Sequence, residues 1–185
     1  MNRDSERIYD EFLVAAAATG DRAALSRLVA RWQPRLFRHA WRMLGESERA
    51  KDIVQEAWVE ILRGLVGLDD VAAFPAWAYR IVTRRCQRLF ERRSSEIVEF
   101  DTEASERGAP LDQRESGELA AELSNVMAAI GRLPASQRAA LALLYLEELS
   151  VAEIAVATDV PPGTVKTRLM HARRKVRAIL EGNES

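Results

Sequence analysis

The sequence predicts an all-α protein: two small helical domains joined by an acidic flexible linker, the C-terminal one a helix-turn-helix. Three observations carry that expectation. Apolar residues recur at three- and four-residue spacing along most of the chain, without convincing strand alternation or internal repeat. Alanine is abundant, whereas glycine (9), proline (6) and aromatics (6%) are few, a balance that favours helix over sheet. Charge is segregated: 27 basic and 28 acidic residues nearly cancel over 185 positions, yet individual stretches are strongly one-signed.

The first domain is expected over 5–93. Asp21 can cap a helix in which Ala24, Leu25, Leu28, Val29 and Trp32 recur at helical spacing. Pro34 is expected to interrupt it, with Leu36, Phe37, Ala40, Trp41 and Leu44 continuing an apolar face until Gly45 stops it. Ser47 can cap the next helix, whose stripe is Ile53, Val54, Ala57, Trp58, Ile61 and Leu62. After the loop GLDDVAAFP, a fourth helix is expected from Pro75 or Ala76. Between Arg80 and Arg93 it carries six arginines against Glu91 alone.

Residues 94–117 read as a linker, polar and poor in large apolar side chains. From Ser94 to Glu122 nine acids face only Arg107 and Arg114. The second domain is expected over 118–182. Leu119, Leu123, Val126, Met127 and Ile130 lead to a stop at Gly131, and Pro134 opens another helix. Ser150 and Glu153 form a capping box for a short helix, and Asp159 to Gly163 make a turn. Thr164 then caps a helix with Val165, Leu169, Ala172, Val176 and Leu180 on one face. From Pro161 to Leu180 there are six cations and no acid. A short helix, a tight turn and a longer helix with a cationic face is the helix-turn-helix plan, in which the second helix enters the major groove.

Other classes fare poorly. The lone cysteine, Cys86, excludes an internal disulfide and a thiolate metal cluster. Two histidines, His39 and His171, without a metal-protease, hydrolase or phosphate-loop motif argue against an enzyme, so no catalytic residue, metal or cofactor is expected. The N-terminus is too polar for a signal peptide, and the apolar run Phe12–Ala18 falls far short of the roughly 20 residues that span a bilayer. A cytoplasmic protein without membrane insertion is expected, monomeric when free.

The segment LSVAEIAVATDVPPGTVKTRLMHARRKVRAIL, residues 149–180, resembles the C-terminal promoter-reading domain of extracytoplasmic-function (ECF) sigma factors, the small specificity subunits of bacterial RNA polymerase. AKDIVQEAWVEILRG, residues 50–64, resembles that family's polymerase-binding helix. FPAWAYRIVTRRCQRLFERR, residues 74–93, resembles the helix that melts and reads the minus-10 element.

The resemblance implies a partner set of core RNA polymerase, promoter DNA and an anti-sigma factor, and initiation at a stress or envelope-response regulon. It implies polymerase contacts at Asp52, Gln55, Glu56 and Trp58. For minus-10 DNA it implies Phe74, Arg80, Arg84, Arg85 and Arg88, with the loop 67–74 accepting a flipped base. Trp77 is expected to pack in the core against Trp58. For minus-35 DNA it implies Thr164, Lys166, Thr167, Arg168, Met170, His171, Arg173 and Arg174. Of these, Lys166, Thr167, Met170 and His171 would face base edges, and Arg168, Arg173 and Arg174 would clamp phosphates. Arg84 and Gln87 stand near places where the family often has an asparagine and an acid. Two other readings remain: a sigma mimic that sequesters an anti-sigma factor without touching DNA, and a plain helix-turn-helix regulator. A mimic would be expected to lose the recognition-helix cations kept here. A plain regulator leaves Asp52–Trp58 and the Arg80–Arg93 cluster unexplained.

Overall fold

Asp21 ends the first turn of the chain and starts its second helix. Its carboxylate accepts from the backbone N–H groups of Ala23 and Ala24 at 2.8 and 3.1 Å, which satisfies two of the donors that every helix start leaves free. The computed structural model describes residues 3–96 and 118–182. Their order is α1 (Arg3–Ala18), α2 (Arg22–Leu44), α3 (Ser47–Gly64), short 3-10 turns at Leu65–Gly67 and Val71–Ala73, α4 (Phe74–Glu96), α5 (Glu118–Gly131), α6 (Ala135–Tyr145), α7 (Val151–Thr158) and α8 (Pro162–Leu180). Among the described residues there is no strand, and no helix is long and apolar enough to cross a membrane. The expected linker lies outside the described residues from 97 onward; Ser94–Glu96 continue α4.

Several local expectations are corrected. Pro34 does not interrupt α2, which runs unbroken through it. Leu28, Trp32, Leu36 and Ala40 keep one buried face across the proline, so packing holds the helix although one backbone hydrogen bond is missing. Ser47 is the first residue of α3 and not its cap; Glu46 precedes it in extended geometry without a side-chain cap. Thr164 lies inside α8, which Pro161 precedes and Pro162 opens; a proline suits the first helical position because its missing N–H has no partner there. Leu62 is 42% exposed and leaves the expected stripe.

Two glycines are required by their surroundings. Gly45 takes the left-handed conformation (φ 73°) that ends α2, and its N–H donates to the Trp41 carbonyl at 2.8 Å. At Gly64 a Cβ would lie 2.7 Å from Trp77 Cζ2. The Trp77 ring contact is with Phe74, at 6.1 Å, in place of the expected Trp58.

α1–α4 bury one face each around Trp32, Tyr79 and Phe74. Trp32 meets Phe74 edge-on at 5.1 Å and Tyr79 at 5.8 Å. α5–α8 close around Leu143, Ile154, Val165, Leu169 and Ala172. The two apolar clusters are continuous, because α7 packs on α4 and α6 on α2.

Candidate nucleic-acid and polymerase interface

On α3 the inward residues Ile53, Val54, Ala57 and Ile61 are buried, which turns Asp52, Gln55 and Glu56 to solvent along one side. Trp58 does not join them. It is 7% exposed and part of the core, because it falls one residue after Ala57 on the inward face. The outward stripe continues instead through Val59 (48% exposed), Leu62 (42%) and Val66 (77%). Val59 and Val66 were missed in the sequence and Leu62 was expected to face inward, although spacings of three and four from Asp52 lead to all three on the outside. Exposed acids and amides beside an uncovered aliphatic strip match the mixed chemistry of protein–protein interfaces.

α4 divides in the same way. Phe74, Tyr79, Thr83 and Cys86 point inward and are at most 1% exposed. Phe74 is therefore corrected from a DNA contact to a core residue: its ring lies edge-on against Trp32 and is closed to a stacking base. Burial pushes the Cys86 thiol up to about 12, so it is inert at neutral pH. Arg80, Arg84 and Arg88 recur every four residues on the other side, with Arg84 and Arg88 exposed. Arg85 turns towards α3, donating to Glu56 at 2.6 Å and Glu60 at 2.8 Å. One arginine thus bridges α3 and α4. Arg80 is engaged as well, donating to Asp159 at 2.8 Å.

The capping box starts α7 as expected: the Ser150 N–H donates to Glu153 Oε2 at 2.8 Å, and the Glu153 N–H donates to Ser150 Oγ at 3.2 Å. Asp159 ends α7 in the left-handed conformation (φ 55°). In α8, Val165, Leu169 and Ala172 are buried, leaving Lys166, Thr167, Met170, Arg173 and Arg174 exposed and Thr164, Arg168 and His171 half-buried. The Thr167 hydroxyl donates to the Gly163 carbonyl at 3.0 Å. Arg173 leans off the outward face: its Nε donates to the Tyr145 hydroxyl at 3.1 Å, and its guanidinium lies 5.6 Å from that ring. Arg174 donates to His171 Nδ1 at 3.5 Å.

A cavity of about 650 Å³ opens between α2 and α5, α6 and α8. Trp41, Ile130, Leu141 and Val176 are among its apolar lining, and Arg38, Arg42, Arg138, Arg173, Arg177 and Glu181 line it as well. No single stretch of sequence contains it, since its walls come from both halves of the chain.

Known proteins carry the same plan. The family model for sigma-70 region 2 matches residues 28–96, and that for sigma-70 region 4 matches residues 123–176. The ECF RNA polymerase sigma-E factor of Escherichia coli (strain K12) is 31% identical over 181 residues, covering 93% of this chain and 94% of that protein. The ECF RNA polymerase sigma factor SigW of Bacillus subtilis (strain 168) is 29% identical over 85% of this chain and 89% of its own. Among solved structures, CnrH in complex with the cytosolic domain of CnrY shares the fold with a TM-score of 0.63, at 24% identity over 95% of this chain and 99% of that one. The sigma factor RpoE in complex with the anti-sigma factor NepR from Bartonella quintana gives 0.69, at 21% identity over 86% and 98%. With regions 2 and 4 in order and sigma-E-like sequence along nearly its whole length, this chain belongs to the ECF family of RNA polymerase sigma factors.

Proposed function

We propose that this promoter-specificity subunit divides its work between a unit at 5–93, which docks core RNA polymerase and opens the minus-10 element, and a unit at 118–182, which reads minus-35. The observation that carries this reading is the two-sidedness of α8: Val165, Leu169 and Ala172 anchor it, leaving Lys166, Thr167, Met170 and Arg174 outward. Lysine donates to guanine, a threonine methyl meets that of thymine, and arginine neutralises phosphate. On α4, Arg84 and Arg88 serve the backbone of the opening duplex, while Asp52, Gln55 and Glu56 on α3 face the polymerase. Retention of the α8 cations favours a DNA reader over a mimic. It acts as a binding subunit and not as an enzyme, and its place is the cytoplasm, where polymerase and promoter are.

An anti-sigma factor completes the set of partners. The largely apolar groove, lined by five arginines against Glu181, has the chemistry for an amphipathic helix with acidic flanks, which would hold both units at once.

In vitro transcription with core polymerase on a promoter library tests the assignment. The protein is expected to give new transcripts sharing two upstream elements. Asp52→Ala/Gln55→Ala should weaken core binding by about 1–3 kcal/mol. Lys166→Ala/Arg168→Ala should leave core binding intact and abolish minus-35 dependence. Full transcription from both double variants would overturn the assignment.

A further inference from the structure

The family resemblance counts Arg85 among the minus-10 contacts, yet its side chain works on a different side of α4 from Arg84 and Arg88. Those two are four residues apart and share an exposed face. Arg85 lies one residue beyond Arg84, a turn of about 100°, which carries it towards α3. Its Nη1 donates to Glu56 at 2.6 Å and its Nη2 to Glu60 at 2.8 Å, so both ends of the guanidinium fork are engaged. Its Nε is buried without a partner. The Arg85 side chain is 22% exposed against 62% for Glu56: the arginine is covered and the carboxylate it holds is open. Swinging Arg85 out to a phosphate would break both pairs.

On α3 the same contact solves a local problem. Asp52, Glu56 and Glu60 follow one another at four-residue spacing, and all three are exposed. Like charges so spaced repel along a helix, and a solvated glutamate keeps its rotamers free. Arg85 lies across the last two and fixes them. The contact with Glu56 uses Oε2, and the exposed carboxylate keeps Oε1 for an incoming donor. A side chain already held in place spares a partner the cost of ordering it. Three acids against one arginine leave the strip net anionic, so holding Glu56 does not remove its attraction for a cation. Lysine in place of Arg85 would be a point charge without the planar fork that spans two carboxylates.

We propose that Arg85 is a positioning residue of the polymerase-docking surface and not a DNA contact: it holds Glu56 from behind, with Glu60 as its second anchor, so that α3 presents a preformed carboxylate to a cationic donor on core polymerase. The arginines of α4 then divide their work. Arg84 and Arg88 face outward to the strand, and Arg85 serves the neighbouring helix. The proposal deepens the reading of Asp52, Gln55 and Glu56 as the polymerase-facing side, and it rests on that reading.

Affinity for core polymerase is read from the fluorescence anisotropy of the labelled full chain. Arg85→Gln is expected to bind about three- to tenfold more weakly, the scale of ordering one long side chain. Glu56→Gln/Arg85→Gln should lose no more than Glu56→Gln alone, a coupling that two independent contacts do not show. Arg85→Lys should recover less than about half of the loss, for want of the fork. With core polymerase saturating, Arg85→Gln should hold the non-template strand of a promoter recovered from the library as the wild type does. Arg84→Gln/Arg88→Gln should hold that strand about tenfold more weakly. Should Arg85→Gln unfold by circular dichroism, Arg85→Lys takes its place in the cycle. Unchanged core affinity of Arg85→Gln, beside a loss in Asp52→Ala/Gln55→Ala, would overturn the positioning role and leave the polymerase-facing side standing. Fully additive losses, or strand binding weakened as much as in Arg84→Gln/Arg88→Gln, would overturn it too. If Asp52→Ala/Gln55→Ala also binds core as the wild type does, the polymerase-facing reading itself falls, and the role of Arg85 with it.

Discussion

Replacing Trp32 with alanine should cost about 3–5 kcal/mol and unfold the α1–α4 unit within the ordinary temperature range. Trp32 is 2% exposed and touches the centre of that unit from three sides. Phe74 lies edge-on at 5.1 Å, Tyr79 at 5.8 Å, and the Arg35 guanidinium stacks 5.1 Å from the ring. Truncation leaves a cavity that Phe74 and Tyr79 cannot fill, because each belongs to the rigid face of α4. A domain has only about 5–15 kcal/mol in reserve, so this one side chain is a large share of it. Urea unfolding read by circular dichroism measures the loss, with Trp32→Phe as a milder companion. A cost below about 1 kcal/mol would mean that the site collapses around the missing ring, contrary to the packing described.

Acid should destabilise the same unit through His39. The imidazole is buried, with Nε2 hydrogen-bonded to Thr83 Oγ1 at 2.9 Å. Burial, and then the Arg42 charge, lower it from 6.5 to about 3. Between those values the unfolded chain binds a proton that the native chain refuses. The stability conferred by neutral His39 is thus complete above pH 6.5 and is lost progressively as pH falls towards 3. One proton corresponds to at most about 1.4 kcal/mol per pH unit, or roughly 2 kcal/mol between pH 6.5 and 5. The wild type should show this extra slope relative to His39→Gln, whose amide does not titrate. Parallel stability curves for the two proteins over that interval would show that His39 is protonated in the native state.

The sequence disclosed the helices because periodicity and caps are local. Asp21 and the Ser150–Glu153 box are satisfied by backbone groups two or three residues away. The buried and exposed sides of α3 and α8 also follow from spacing alone. Phe74 misled because an aromatic near arginines suits a stacked base and a core equally well, and Trp58 because the motif that placed it with Asp52, Gln55 and Glu56 does not say which side of α3 it faces. What decides is whether Trp32, some forty residues from Phe74, stands behind the ring. Pro34 misled because the apolar face running past it outweighs one lost hydrogen bond. Leu62 fitted the apolar stripe by type, whereas the turn of α3 carries it outside with Val59 and Val66. The Arg85–Glu56 and Arg80–Asp159 pairs join residues 29 and 79 positions apart. No pattern of charge along the chain specifies such partners.

Asp159 also makes its pair with Arg80 easy to lose in a lineage. Its backbone adopts a conformation that glycine accepts freely and that costs most other residues about 1 kcal/mol. Aspartate and glycine codons differ at the middle base, so one point mutation deletes the carboxylate that holds Arg80 while relieving the backbone of α7. Most mutations that loosen a contact weaken the fold as well, and selection removes them for that reason. Here a single heritable step can remove the Arg80–Asp159 pair while easing the backbone, so the pair can come and go between lineages at little net cost to folding.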